Sequence, residues 1–263
     1  MLLKATVLSD GRGRLPSDYV FIEAEPAEVE ALFDDPYPED VPYGCLLVHT
    51  EDAVVLVDTG IGEVEHPFGG SGGALQAELG RLGVSPEAVD IVVVSHGHLD
   101  HVGGNVTEGA PAFPRARYVM SRRDWERWTT EDALAQMPPA TADIVRDQLL
   151  PLEGNGVLDL LEGETEIAPG IRVLPAPGHT LGHLAIEVAN ELLYLTDSFL
   201  HPLQAARPEW GHGVDEDPET ASATLRVLLE RAAATGLPIT GSHLEARFRV
   251  ERAGDAFDVA RVY

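Results

Sequence analysis

Short apolar runs, each closed by turn-forming residues, recur along this chain. Ile91-Val92-Val93-Val94, Ile171-Arg172-Val173-Leu174, Leu184–Val188 and Leu192-Leu193-Tyr194-Leu195 are too short for helices. Their β-branched and aliphatic content predicts buried strands. Residues 3–9 predict a further strand. Gly44–His49 and Ala53–Val57 predict a hairpin that turns at Thr50-Glu51-Asp52. Residues 10–43, rich in Pro, Asp and Glu, predict a long loop with a helical piece at Ala27–Phe33, and a loop of that length is usually functional or mobile. Gly69–Gly73 reads as a flexible link into a helix at 74–82, with Leu75, Leu79 and Leu82 on one face. His66 precedes it, but no Gly-Lys-Ser or Gly-Lys-Thr follows, so a linker is favoured over a phosphate loop.

The second half continues the pattern. Ser121 predicts an N-cap for a helix carrying Trp125 and Trp128, with Asp124 three residues on. Those tryptophans read first as core and second as a pocket wall. Residues 131–150 predict helix broken at Pro138-Pro139. Strands at 157–161, 171–174, 184–188 and 192–195 are expected to form a second sheet, closed by Phe248–Val250 and Phe257–Val262. Asp217-Pro218-Glu219 opens a helix through Ala233 with Leu225, Leu228 and Leu229 inward. With 263 residues, 44% of them apolar, one domain spanning 1–263 with a sizeable core is expected.

Chemistry gathers where the strands end. His96-Gly97-His98-Leu99-Asp100-His101 follows Ile91–Val94 directly. Leaving so many polar groups at a strand end is expensive unless ions or hydrogen bonds satisfy them. Imidazole with carboxylate suits Zn²⁺, Fe²⁺ or Mn²⁺. Pro177-Gly178-His179-Thr180, Asp197 and His243 each lie just past another short apolar segment. Together these are five histidines and two aspartates, enough for two adjacent divalent ions with one aspartate between them.

These motifs, with Val57-Asp58-Thr59-Gly60, stand in the order and at the separations of the metallo-β-lactamase superfamily, which the chain resembles over nearly its whole length. The resemblance implies an α+β fold, a four-layer αββα sandwich with the metal site at one edge between the sheets. It implies that His96, His98 and His179 hold a first ion, that Asp100, His101 and His243 hold a second, and that Asp197 bridges them. Asp58 would steady the ligand loop, or simply form an Asp-Thr-Gly turn. The region Asp197–Gln204 with Pro208-Glu209-Trp210 is similar to the branch holding the N-acyl homoserine lactonases and the methyl parathion hydrolase type. The chain departs from those lactonases in one respect. They carry a substrate-contacting tyrosine shortly after the bridging aspartate, where this chain reads Ser198-Phe199-Leu200-His201.

Charge narrows the substrates. The net charge of −26 argues against nucleic acid, whose binding relies on cations displacing phosphate counterions. Lys4 is the only lysine, a usage that fits a GC-rich genome or a high-salt habitat, and the acidity reads as a solvated, solubilising surface. No stretch approaches the ~18 apolar residues of a membrane span, and the N-terminus reads as a strand and not as a signal peptide. Lone Cys45 reads as a small buried hydrophobe. A cytoplasmic protein acting on a small molecule, without nucleic-acid or membrane partners, is expected, with a homodimer left open. Of the remaining histidines, His183 reads either as support for His179 or as structural. His201 is a candidate proton donor facing the substrate, His212 is expected to be exposed, and His49 structural.

The expected chemistry is therefore hydrolysis of an ester-like bond (lactone, carboxyl ester or organophosphate) by water activated between two ions, most simply Zn²⁺. Asp100 is expected to orient the nucleophile or pass a proton. Three other readings stay open: a glyoxalase II-type thioesterase, for which no basic C-terminal segment is visible; a mononuclear iron sulfur-dioxygenase, which has no need of Asp100, His101 and His243; and a non-catalytic metal-binding protein.

Overall fold

A computed structural model describes residues 3–30, 39–64 and 69–262. In chain order the strands are β1 (Lys4–Arg14), β2 (Asp40–His49), β3 (Val54–Val57), β4 (Gly70–Ser71), β5 (Ile91–Val94), β6 (Val106–Thr107), β7 (Ala110–Pro111), β8 (Arg117–Ser121) and β9 (Leu158–Leu161). Apart from the small β6–β7 pair, these make one sheet in the order β4-β1-β2-β3-β5-β8-β9. The rest are β10 (Thr165–Ala168), β11 (Ile171–Pro175), β12 (Leu184–Val188), β13 (Leu192–Tyr194), β14 (Ile239–Thr240), β15 (Arg247–Ala253) and β16 (Ala256–Val262). They form a second sheet whose spatial order is the chain order. Both sheets are mixed. β3, β5, β8 and β9 run parallel, as do β13 and β14, and the other pairs are antiparallel.

The layering follows from alternation along each strand. In β2, Leu46 and Val48 face the second sheet while Leu47 faces outward. In β5, Ile91 and Val93 face inward while Val92 and Val94 face outward. The inward set packs against Ile171, Val173, Ile186, Val188 and Tyr194 of the second sheet. The outward set meets helices through Leu75, Leu79, Trp125, Trp128, Val145 and Leu152. On the far side, Leu174, Ala185 and Leu193 meet Leu225, Leu228, Leu229 and Ala232 of the helix Pro218–Thr235. The result is helix, sheet, sheet, helix, the αββα architecture expected from the resemblance. That last helix is well bounded: Asp217 accepts the Thr220 N–H at its start, Pro218 occupies the first turn, and Gly236 closes it at φ 72°.

Several expectations need correction. The strand expected at 3–9 runs on to Arg14, because Gly11–Arg14 pair with Asp40–Tyr43. Gly11 permits this: a Cβ there would stand 1.8 Å from the Ser71 carbonyl oxygen of β4. The expected loop is correspondingly shorter and holds two helical turns, Ser17–Val20 and Pro26–Glu30. Ala31, Leu32 and Phe33 of the expected helical piece, and His66, lie outside the described residues. The 157–161 strand joins the first sheet and not the second, pairing in parallel with β8. The helices at 122–154 supply the crossover a parallel neighbour requires. Leu82 is exposed, because its helix ends at Arg81. Cys45 is fully buried, as expected. No helix among the described residues is long and apolar enough to cross a membrane.

Ile186 is completely buried between the sheets. Ile186→Ala should destabilise the protein by about 2–5 kcal/mol in denaturant unfolding, because a packed interior relaxes only partly around a cavity. Leu181→Ala, at an exposed position, should change stability by less than about 0.5 kcal/mol.

Candidate metal centre

The strand ends converge on one edge of the sandwich. Asp58 follows β3, His96 and His98 follow β5, and His101 lies in the helical turn Leu99–Val102 just beyond. From the second sheet, His179 follows β11, Asp197 sits in the turn Thr196–Ser198 after β13, and His243 follows β14. β11, β13 and β14 point the same way, so their C-terminal ends share this edge.

Asp197 Oδ2 is the focus. It lies 3.3 Å from His101 Nε2, 3.4 Å from His243 Nε2, 3.5 Å from His179 Nε2 and 3.9 Å from His96 Nε2. His98 presents Nδ1 instead, 2.9 Å from His96 Nε2 and 3.0 Å from His179 Nε2. Asp100 Oδ2 completes the far side, 3.5 Å from His243 Nε2 and 3.8 Å from His101 Nε2. Two groups of three ligand atoms result, His96–His98–His179 and Asp100–His101–His243, with Asp197 also grouped with His96 and His101.

The far side of each ring explains why these nitrogens face inward. His101 Nδ1 donates to Asp58 Oδ2 at 2.8 Å, His179 Nδ1 to Asp215 Oδ1 at 2.8 Å, and His243 Nδ1 to the Pro42 carbonyl at 2.9 Å. The Ser95 hydroxyl donates to Asp58 Oδ2 at 2.7 Å, which leaves its oxygen to accept from His96 Nδ1 at 3.0 Å. Asp58 Oδ1 also takes the Ser95 N–H. With Nδ1 of each ring committed outward, four Nε2 atoms point at one place. His101 Nε2 and Asp197 Oδ1 are buried with no hydrogen-bond partner, as unfilled ligand atoms would be. The donor set of imidazole and carboxylate fits a divalent transition ion.

Electrostatics agree. Burial and the neighbouring histidines hold His96 well below the ordinary imidazole value, and burial with His179 pushes His98 down to about 3. Both are ready ligands without losing a proton. His101 and His243 go the other way: burial lowers them, but Asp197, with Asp58 or Asp100, outweighs it and raises both. Burial raises the two aspartates, yet His101 and His243 pull Asp100 and Asp197 below the usual carboxylate range.

Supporting groups lie one layer out. His183 holds the Asp197 turn through one nitrogen and is itself anchored through the other. Its Nδ1 donates to the Ala176 carbonyl, while Nε2 accepts from the Thr196 hydroxyl at 2.8 Å and the Asp197 N–H at 3.3 Å. Thr196 needs that help, because it has φ 48°, a strained conformation for a β-branched residue. His183 therefore serves Asp197 and not His179. His201 is not brought to the site. Its Nδ1 accepts the Leu203 N–H and its ring stands edge-on to Phe21, and it does not line the adjoining cavity.

Sequence reading missed three groups. Asp124, expected as a helix-capping partner, is buried and accepts the N–H groups of Gly97 at 2.8 Å and Gly182 at 3.3 Å, tying the two histidine loops together. Burial lifts its carboxyl to about 6. His212, expected exposed, is buried beside Asp215. Tyr19, from the N-terminal segment, lines the cavity. That cavity, about 330 Å³, opens over His98, Asp100, His179, Asp197 and His243 and is walled by Leu15, Leu99, Trp128, Ile144, Val145 and Leu200. Trp128 is thus both core and wall. A Cβ on Gly97 would stand 2.4 Å from its ring, which is why the central residue of His96-Gly97-His98 has no side chain.

The family profile of the metallo-β-lactamase superfamily matches residues 40–231. The chain belongs to this superfamily. An N-acyl homoserine lactonase from Bacillus sp. is 30% identical over 168 residues, covering 58% of this chain and 60% of that protein. The chain thus matches less than two thirds of that relative's length. Among solved structures, the hydrolase AbOPH superimposes with a TM-score of 0.86 at 22% identity, over 99% of this chain and 94% of that one. The dizinc quorum-quenching lactonase AidC, in complex with a product, superimposes with a TM-score of 0.84 at 23% identity, over 99% and 95%. At these identities the structural likeness of this metallo-β-lactamase superfamily member establishes fold alone.

The opposed shifts make the ion-free protein most stable near pH 6.5. Below the ordinary imidazole value of 6.5, the unfolded chain takes up protons that His96, His98 and His183 refuse when folded; stability falls with pH. Asp124 works weakly against this below about 6. Above 6.5, His101 and His243 keep protons that the unfolded chain has lost, so stability falls again as pH rises through their folded values. Thermal unfolding of chelator-treated protein across pH should trace this maximum. A midpoint that climbs steadily to pH 9 would contradict the shifts.

Proposed function

We propose that this chain is a hydrolase that holds two divalent ions, Zn²⁺ in the simplest case and Fe²⁺ or Mn²⁺ otherwise, and cleaves a neutral ester-like bond in a small molecule. The observation that carries this reading is the convergence of four Nε2 atoms and two carboxylates on one floor beneath an apolar-walled cavity. His96, His98 and His179 would hold one ion, Asp100, His101 and His243 the other, and Asp197 would lie between them. Bound there, such ions would lower the pKa of a water toward neutrality and polarise the oxygen of the bond to be broken.

The remaining work falls to the chain's own groups. The apolar walls hold the body of the substrate, and a few polar groups on the floor fix its reacting end. Asp100 is half-buried at the floor's edge, placed to orient the attacking water and return its proton to the leaving oxygen. Tyr19 lines the same cavity, and burial with the charges of Asp100 and Asp197 holds its hydroxyl protonated. It offers a neutral donor to the substrate oxygen, the role expected for His201 on sequence grounds. A lactone or carboxyl ester with an apolar acyl arm fits this cavity, in keeping with relatives named as N-acyl homoserine lactonases. A mononuclear dioxygenase would leave the Asp100–His101–His243 group without a purpose.

Metal analysis of purified protein, with hydrolysis of aryl esters, lactones, thioesters and phosphotriesters in the same sample, tests the reading. About two ions per chain are expected. His98→Ala or Asp197→Ala should lower that number and remove most activity. Full activity after exhaustive chelation would overturn the proposal.

Tyr19→Phe should lower kcat on the best ester or lactone by roughly 10²-fold, the usual loss for one oxyanion donor, with ion content unchanged. His201→Ala should leave kcat within a few-fold of wild type. The reverse pattern would return the donor role to His201.

A further inference from the structure

A chain of buried polar groups runs from His179 to the cavity wall. Asp215 Oδ1 accepts the His179 Nδ1 proton at 2.8 Å, and Oδ2 accepts the backbone N–H of His212 at 2.9 Å. His212 Nδ1 stands 3.2 Å from Asp215 Oδ1, an ion-pair distance off the hydrogen-bond line, and has no hydrogen-bond partner. Its Nε2 lies 2.6 Å from Gln204 Nε2. Gln204 Oε1 accepts the N–H groups of Leu200 at 2.9 Å and His201 at 3.1 Å, and Nε2 donates to the Trp210 carbonyl at 3.1 Å. The amide orientation is therefore fixed, with nitrogen toward His212. A donor amide makes His212 Nε2 an acceptor, which puts the one ring proton on Nδ1, facing Asp215.

His212 and Gln204 are both almost wholly buried. Buried polar networks are costly when half-made, and they rigidify when complete. This one ends at Leu200, which lines the cavity. It also touches a second wall residue: Gly213, beside His212, gives its N–H to the Tyr19 carbonyl, and a Cβ there would stand 3.0 Å from the Tyr19 ring.

We propose that Gln204 and His212 are positioning residues which, through Asp215, tie the orientation of the His179 ring to the wall at Leu200. Ion binding at His179 and the order of that wall are thereby coupled, and the coupling is reciprocal. The inference rests on the reading of His179 as a metal ligand. The group His179–His212–Asp215 also has ligand atoms within reach of one another. Its Asp215 oxygens are already engaged, so it serves as a relay and not as a third ion site.

Two substitutions separate the ends of the relay. In His212→Asn the amide nitrogen sits where Nδ1 was, keeping the arm to Asp215 and dropping the arm to Gln204. In His212→Gln the amide reaches Gln204 and the Asp215 arm is lost. The nitrogen-15 spectrum of ion-free wild type should show His212 as the Nδ1–H tautomer. Chelator competition should show Zn²⁺ affinity within about threefold of wild type for His212→Asn and about tenfold weaker for His212→Gln, the low end of the loss when a ligand's outer partner is itself removed, because Asp215 stays but loses its support. In wild type, Zn²⁺ should slow hydrogen exchange at the Leu200 and His201 amides, and both variants should lose that slowing. Should either variant fail to fold, Gln204→Glu keeps the acceptor for Leu200 and His201 but removes the donor. It should turn His212 to the Nε2–H tautomer and weaken Zn²⁺ as His212→Gln does. Equal effects of all variants on every readout, or an Nε2–H tautomer in wild type, would overturn the relay. Zn²⁺ uptake with no change at Leu200 and His201 would overturn the coupling alone. A wild type that takes up no Zn²⁺ would overturn the ligand reading beneath it.

Discussion

Four imidazole nitrogens and two carboxylates face one another on a largely buried floor. With Nδ1 of each ring committed to Asp58, Ser95, Asp215 or Pro42, His96, His101, His179 and His243 turn only Nε2 toward Asp197 Oδ2. Left to itself such a floor is unfavourable, because buried polar atoms without partners forfeit their hydration. A multivalent cation turns the same arrangement into a favourable one. The geometry around the floor is understandable as the means of holding it until an ion arrives.

That holding is done by the sandwich. Each loop leaves a strand buried on both faces, so its starting point cannot drift without opening the core. The outer partners come from distant places: Asp58 from the end of β3, Pro42 from β2, and Asp215 from the loop before the long C-terminal helix. Asp124 clamps the Gly97 and Gly182 amides from a helix on the outer layer. The strained backbone of Thr196 is tolerated because His183 grips its hydroxyl and the next N–H. Strain of this kind persists only where the surroundings over-determine it. Here it sets the direction of Asp197, the one carboxylate near both groups of ligand atoms.

Much of this was legible in the chain because strand endings and ligand types are local signals. The run Ile91–Val94 before His96, and Leu192–Leu195 before Asp197, name both the element and the point where it stops. What depended on pairing partners was not legible. The strand at 158–161 has the same apolar pattern whichever sheet receives it, and only the crossover helices decide. Gly11–Arg14 has weak strand propensity and pairs because Asp40–Tyr43 lies alongside. His212 sits between two glycines, which suggests a solvated turn. It is buried where the N-terminal segment bonds to the turn, Ile22 N–H to the Gly211 carbonyl and Gly213 N–H to the Tyr19 carbonyl, a long-range event with no trace in the nearby sequence. Tyr19 was overlooked for the same reason. Its place at the cavity comes from that contact, about 180 residues away from Asp197 in the chain.

The acidic surface and the apolar cavity act on different scales. A net charge of −26 is felt at long range, within a screening distance of about 8 Å at physiological salt, and it disfavours the approach of polyanions. The cavity walls are Leu99, Trp128, Ile144, Val145 and Leu200, and the local charge on its floor depends on whether ions occupy it. Loading the floor neutralises the cluster of aspartates where a substrate's reacting oxygen would lie, while the outer field hardly changes. Selection by the field and selection by the cavity therefore favour the same molecules. Under the proposed function these would be small neutral molecules, apolar along most of their length, with one electron-rich oxygen turned toward the ion-bearing floor.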